Sequence, residues 1–169
     1  MENDKKLIID GAEGANIWRY LEDETPITND PVIISLNRLQ TEGAALAAAG
    51  TPFGVILRAG EKQGEDVHAL APFIDKLAVI AIEFPVYRNG RGYSAARILR
   101  EQMNYRGEIR AIGEVFFDQW QFMYRCGINA FEINADISLE TFNEALGELS
   151  AAYQPAADAQ RGILWRRHN

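Results

Sequence analysis

The sequence contains few of the residues that build metal centres and disulfides. Among 169 residues there is one cysteine, Cys126, and there are two histidines, His68 and His168. A single cysteine excludes a disulfide within the chain and any metal or iron–sulfur site made only of cysteines. The histidines are far apart and show no paired ligand spacing. We therefore expect neither a protein-bound metal nor a catalytic histidine.

Net positive charge and long apolar runs are also missing. The formal net charge is −7, which argues against general nucleic-acid binding, because that requires a basic face. No apolar run approaches the roughly 20 residues that cross a bilayer. The polar residues 1–6 are followed by only three apolar residues, unlike a signal peptide. We expect a cytoplasmic protein that binds neither nucleic acid nor membranes.

Short apolar strands alternate with helical segments through most of the chain. We predict strands at 32–35, 53–57, 78–83, 108–112 and 130–133, and helices at 37–49, 66–76, 94–105, 115–126 and 139–152. This alternation predicts an α/β fold with a mainly parallel five-stranded sheet of βα repeats. Two closures fit the pattern. We favour an open doubly wound sheet, because five units are too few to close a standard barrel; the alternative is a curl resembling part of a (β/α)₈ barrel.

The length indicates one domain, residues 1–169. Within it, residues 1–30 are expected to form an N-terminal strand arm, with strands at 5–9 and 16–21 paired as a hairpin. Residues 31–152 form the βα repeat core. Residues 153–169 form a C-terminal tail, with a short edge strand predicted at 162–165.

The loop after the third repeat strand carries the sharpest functional signal. Gly92 permits unusual backbone conformations, and Ser94 is predicted to cap the next helix. The free amides of a helix start attract anions, and three arginines lie nearby. We predict an anion-binding site made by Arg88, Arg91, Gly92, Ser94 and Arg97. In the structural alternative, the glycines make a tight turn and Arg97 pairs with Glu101 at i,i+4.

Further polar residues are expected around a pocket at the carboxyl ends of the strands, where parallel sheets bind ligands. Some follow or end predicted strands, and others share one side of the predicted helix 115–126. The alternative is a set of surface salt bridges and an internal polar network. These candidates are Arg58, Glu83, Glu114, Asp118, Gln121 and Arg125.

Several motifs occur together in one order: Ile82-Glu83-Phe84-Pro85, the run from Gly90 to Arg100, the run from Gly107 to Val115, and the run from Arg125 to Glu132. They resemble the bacterial domain-of-unknown-function family number 934 over roughly residues 30–150. Members are often labelled probable oxidoreductases involved in sulfite reduction. The resemblance implies an association with assimilatory sulfite reduction but assigns no active site. One departure is Glu114, where an aspartate is expected.

Two hypotheses follow for function. In the first, the protein is an oxidoreductase or accessory factor of sulfite assimilation that binds a sulfur oxyanion or a phosphorylated metabolite. The chain has no cluster ligands, haem motif or nucleotide fingerprint, so a redox step would use a borrowed flavin or nicotinamide cofactor, and the catalytic residues are unknown. In the second, it is a non-catalytic partner or assembly protein that docks on a subunit of a sulfite-reducing enzyme through the arginine loop.

Overall fold

Eight strands form one mixed sheet. A computed structural model describes residues 5–60, 62–85 and 90–147 of the chain. The strands are β1 Lys5–Ile9, β2 Ala12–Gly14, β3 Arg19–Tyr20, β4 Val32–Ser35, β5 Phe53–Leu57, β6 Leu77–Phe84, β7 Glu108–Gly113 and β8 Ala130–Asn134. The helices are α1 Leu36–Ala49, α2 Gln63–Asp66, α3 Arg91–Arg97, α4 Trp120–Arg125 and α5 Leu139–Gly147. Within the described ranges, no helix combines the length and apolarity needed to span a bilayer.

The strands follow one another across the sheet almost in chain order. The order is β2-β1-β8-β7-β6-β5-β4-β3. Strands β3 to β8 are parallel to one another, whereas β1 is antiparallel to both β8 and β2. The α/β class and the mostly parallel sheet are therefore confirmed, although the sheet has more strands than the five predicted.

The sheet is a strongly curled half-barrel, and the favoured doubly wound closure is wrong. A doubly wound sheet carries helices on both faces. Here the buried apolar helical residues of the described chain all join one core cluster on one face of the strands, including Leu39, Leu99, Trp120 and Phe142. The opposite, concave face has a second and smaller cluster made of strand residues, with Trp18 and Tyr20 packed against it: Ile33, Ile56, Val79, Ala81 and Ile112. With helices on one face only, the sheet curls away from them.

The N-terminal arm differs from the predicted hairpin. Strands 5–9 and 16–21 do not pair with each other. Instead, β1 turns back through Asp10 and Gly11 to pair with β2, and its other edge pairs with β8. The strand β3 lies at the opposite edge of the sheet, beside β4. The arm therefore contributes strands to both edges.

Three predicted helices begin or continue differently. The helix predicted from Ser94 begins at Arg91 after Gly90, so Ser94 lies inside the helix and is not its N-cap, and a π-helical segment, Ile98–Gln102, follows. The helix predicted at 66–76 is the short α2 followed by a 3₁₀ segment, Val67–Phe73. The helix predicted at 115–126 opens with a 3₁₀ turn before α4. The predicted tail 153–169, its edge strand and the end of the last helix lie outside the described residues.

Helix α3 packs unusually close to strand β6 because of Gly92. A Cβ at this position would lie 2.6 Å from Cε1 of Phe84 and 3.1 Å from Cγ2 of Ile82. The Phe84 ring is buried and stands 5.2 Å from the Tyr93 ring, so it has little freedom to move away. Gly92 is therefore required for packing in this structure.

We expect Gly92→Ala to lower the free energy of unfolding by about 1–3 kcal/mol, as overpacking does, although alanine is the better helix former. The matched control is Gly90→Ala, where the added Cβ meets no atom within 4 Å; it should change stability by less than about 1 kcal/mol. Urea unfolding measures both. Equal losses in the two variants would contradict the packing role.

Candidate functional site

The carboxyl ends of β4 and β5 open onto a cavity of about 290 Å³, which we call the rim cavity. In barrels of parallel strands, ligands bind at this end, where loops from several strands meet. The cavity is lined by Ser35, Leu36, Asn37, Gln40, Ile56, Leu57, Arg58 and Asp66. It therefore lies where a half-barrel of this kind would hold a ligand.

The start of α1 forms one wall of the rim cavity. Ser35 caps this 14-residue helix and accepts a hydrogen bond from the Arg38 amide at 3.2 Å. The Ser35 hydroxyl donates to Asp23 at 2.5 Å. No acidic side chain lies in the first helical turn, but the Asp23 carboxylate bonded to Ser35 offsets part of the positive potential at this end of the helix. The amides of Leu36 and Asn37 remain without acceptors inside the helix.

Arg58 brings a guanidinium to the same cavity. Its side chain is 54% exposed, and its Nη1 lies 3.5 Å from Glu83 Oε1. The other oxygen of Glu83 accepts a hydrogen bond from the Ala59 amide at 2.9 Å. The structure thus brings together the two predicted pocket residues Arg58 and Glu83, and the carboxylate helps to hold the arginine. Asp66 also lines the cavity, so charges of both signs are present.

Gln63 fixes the ends of β5 and β6 beside each other beneath this pair. Its side chain is buried, and its Nε2 donates to the carbonyls of Leu57 at 3.1 Å and Glu83 at 2.7 Å. Its Oε1 has no hydrogen-bond partner among the described residues. Sequence reasoning missed this residue because it lies in a polar loop without a motif.

The predicted anion loop is only partly described. Arg88 lies outside the described residues. Arg91 is the exposed first residue of α3, Gly92 is buried against β6, and Ser94 lies inside the helix. The cluster built around a Ser94 cap is therefore not what the described residues form.

Arg97 pairs with Glu101, as in the alternative interpretation of the anion loop. Its Nε and Nη2 donate to Glu101 Oε1 at 3.1 and 3.0 Å. This i,i+4 pair confirms the interpretation of Arg97 as part of a helix surface. Arg91 and Arg97 are six residues apart, which is not a whole number of helical turns, so they point in different directions.

The polar residues predicted to share one side of the helix 115–126 do not form a common face. Asp118 lies in the exposed 3₁₀ turn, whereas the Gln121 amide donates to the Leu146 carbonyl of α5 at 3.4 Å. The different winding of the 3₁₀ turn breaks the expected common face. Glu114 is exposed and Arg125 is partly buried. Gln121 fits the alternative of a polar contact that holds the helix to its neighbour.

A buried ionic network crosses the concave face. Arg110 is fully buried; its Nε lies 2.6 Å from Glu108 Oε1, and its Nη1 lies 3.0 Å from both Glu132 Oε1 and Asn16 Oδ1. The Tyr20 hydroxyl donates to the same Glu132 oxygen at 2.6 Å. Within the described part of the chain, Arg110 Nη2 has no hydrogen-bond partner. Burying this charge is tolerable because two carboxylates pair with it.

This network joins β3 to β8, which are separated by four strands in the sheet. The Tyr20 contact therefore bridges the concave face and holds the curl. Burial, and then the Glu132 carboxylate, raise the pKa of Tyr20 well above its usual value. Sequence reasoning missed the network, and the available signal was the spacing of two between Glu108 and Arg110 within a predicted strand.

We expect Tyr20→Phe to lower the free energy of unfolding by about 1.5–3 kcal/mol, because it removes a hydrogen bond to a charged acceptor. The matched control Tyr124→Phe removes an exposed tyrosine hydroxyl and should cost less than about 0.5 kcal/mol. Urea unfolding measures both.

The raised pKa favours the neutral phenol in the folded state, so the stabilisation by Tyr20 is complete below pH 10, the ordinary pKa of tyrosine. This stabilisation is lost as pH rises further. A difference between Tyr20→Phe and wild type that grew with pH above this value would contradict the assignment.

Comparison with known proteins assigns the chain to a family but not to an activity. The chain has no match among curated proteins and none among solved structures. A family model matches residues 54–164, more than half of the chain, and so covers β6 to β8 together with Arg58, Glu83 and Arg110. The protein belongs to the family described as bacterial proteins of unknown function, DUF934.

Proposed function

We propose that the rim cavity binds the anionic group of a small metabolite. The observation that carries this proposal is the convergence of two sources of positive potential at one cavity: the start of α1 and the guanidinium of Arg58. The first amides of a helix, of which Ser35 caps only that of Arg38, and arginine forks both favour oxyanions. The position at the carboxyl ends of parallel strands supports the same assignment.

The remaining lining residues restrict how such a ligand would sit. Asn37 and Gln40 offer amide groups, whereas Asp66 disfavours a second negative charge on its side of the cavity. Glu83 pairs with Arg58 but leaves about half of the arginine side chain exposed. A ligand with one compact oxyanion and an uncharged polar remainder fits this arrangement. Binding through Arg88 and Arg91 of the predicted anion loop stays a prediction.

The class of ligand that we propose is a sulfur oxyanion or a phosphorylated metabolite, used in assimilatory sulfite reduction. The sequence resemblance supports this setting. The described residues would bind and orient the ligand, and an oxidoreductase step would use a borrowed flavin or nicotinamide cofactor.

A second candidate function is that of a non-catalytic partner of a sulfite-reducing enzyme. The specific observation in its favour is the exposure of Phe116, Phe117 and Phe122, because exposed aromatic clusters often mark protein interfaces. The absorbance of the purified protein separates the two. Flavin bands favour the oxidoreductase, and a colourless protein that co-purifies with a reductase subunit favours the partner.

We expect sulfate, sulfite, phosphate or an adenosine phosphosulfate to stabilise the protein in thermal-shift measurements. A ligand present at about 100 times its Kd adds about 2.7 kcal/mol to the free energy of unfolding, which is several degrees in Tm. Arg58→Gln should remove most of this shift. The matched control Arg97→Gln changes an arginine that is already paired with Glu101 and should keep it.

A third variant, Arg91→Gln, compared with Arg58→Gln, distinguishes the rim cavity from the predicted anion loop. If Arg91→Gln abolishes the shift and Arg58→Gln does not, the anion binds at the loop. If none of these compounds stabilises the wild type, anion binding at either place is wrong.

A further inference from the structure

Exposed aromatic side chains are concentrated in one short stretch of the described chain. Among its strongly exposed large hydrophobic residues, four of five lie between residues 116 and 124: Phe116 at 46%, Phe117 at 48%, Phe122 at 55% and Tyr124 at 39%. Single exposed hydrophobic residues are ordinary, but a cluster of this kind marks an interaction surface. Tyr124 lines a different cavity, with Asp10 and Asn143, so we define the aromatic surface as Phe116, Phe117, Phe122 and the neighbouring Tyr93.

Part of the aromatic surface is anchored to the core. The Phe122 ring lies 4.9 Å from the Tyr93 ring, which in turn lies 5.2 Å from the buried Phe84 ring. Phe117 stands 5.3 Å from the buried Trp120 ring. Rings held in this way lose little conformational freedom on binding, which lowers the cost of forming an interface.

A cavity of about 310 Å³ opens within this surface, lined by Tyr93, Asp118, Gln119 and Phe122. The Tyr93 and Phe122 rings, which contact each other, form one aromatic wall for an apolar side chain of a partner, and Asp118 lines the same cavity. Buried aromatic anchors in such pockets carry much of the binding energy of interfaces. The cavity lies between α3 and the start of α4, away from the rim cavity.

The side of the aromatic surface formed by residues 114–118 and α5 is acidic, whereas α3 on the other side carries the exposed Arg91 and Arg97. Asp118 and Glu114 are both exposed, and neither has an ion-pair partner among the described residues. Helix α5, which packs beside this stretch, adds the exposed Glu140 and Glu144. Uncompensated carboxylates around an apolar centre favour a partner with basic residues.

We infer that the aromatic surface binds a segment of another protein in which an aromatic or aliphatic side chain is flanked by lysine or arginine. The apolar side chain enters the cavity beside the contacting Tyr93 and Phe122 rings, and the cation pairs with Asp118. A second copy of this chain is the less favourable occupant, because a two-fold contact would set Asp118 and Glu114 of each copy against the same carboxylates. The inference does not depend on anion binding at the rim cavity.

The test begins with panning of a displayed library of random short peptides on the full-length protein. We expect enriched sequences that combine tryptophan, phenylalanine or leucine with lysine or arginine. One enriched peptide, synthesised with a fluorophore, is then titrated by anisotropy. Phe122→Ser should weaken its binding by about tenfold or more, as loss of an anchor contact does. Asp118→Asn should weaken it as well and reduce its dependence on salt.

Tyr124→Ser is the matched control, since it removes an exposed aromatic side chain outside the aromatic surface, and the affinity should not change. Circular dichroism checks that each variant is folded; if Phe122→Ser is not folded, the exposed Asp118→Lys is used instead and should abolish binding. The inference is overturned if panning enriches no sequence or only acidic ones, or if the variants bind as wild type does. It is also overturned if light scattering shows a dimer that Phe122→Ser or Asp118→Lys dissolves, because the occupant is then a second copy.

Discussion

The placement of the buried apolar residues of all described helices on one face of the sheet is the constraint on which this structure depends. A parallel sheet normally hides both of its faces under helices. This sheet must hide the second face by curling and by covering it with a segment of the chain itself. Trp18 and Tyr20 provide that cover, and the pairing of Arg110 with Glu108 and Glu132 makes a charge tolerable beneath it. The ionic network is therefore part of how the half-barrel closes.

The same curl assembles the candidate site. Because the strands follow one another in chain order, the ends of β4, β5 and β6 converge, and residues from separate βα units meet there. Gln63 joins carbonyls at or near the ends of two strands, Glu83 joins a loop amide to Arg58, and the capped start of α1 completes the wall. In a flat sheet with helices on both faces, α1 and the loop after β5 would not share one cavity so readily.

The sequence was informative about elements and less informative about their arrangement. Apolar runs such as 79–82 and the glycines that end helices predicted the repeat strands and most helices. Which face each helix covers is not encoded in those runs, because both faces of β6 are apolar here, with Val79 and Ala81 on one and Ile80 and Ile82 on the other. The doubly wound prediction failed for that reason. Arg58 and Glu83 could be predicted from their positions at strand ends, whereas the Arg110 network required knowing that Tyr20 lies opposite β8.

The pairing of β1 with β8 has a consequence for how this molecule is made. Lys5 lies beside Asn134 in the ladder, so the first described strand, although it pairs with β2 at once, meets its second neighbour β8 only after the other described strands exist. During synthesis, β1 and β2 would leave the ribosome as an unattached hairpin, and hairpins of this size are marginal alone in water. Pairings so distant along the chain form slowly. The ladder between β1 and β8 therefore forms only after β8, the last described strand along the chain, has been synthesised.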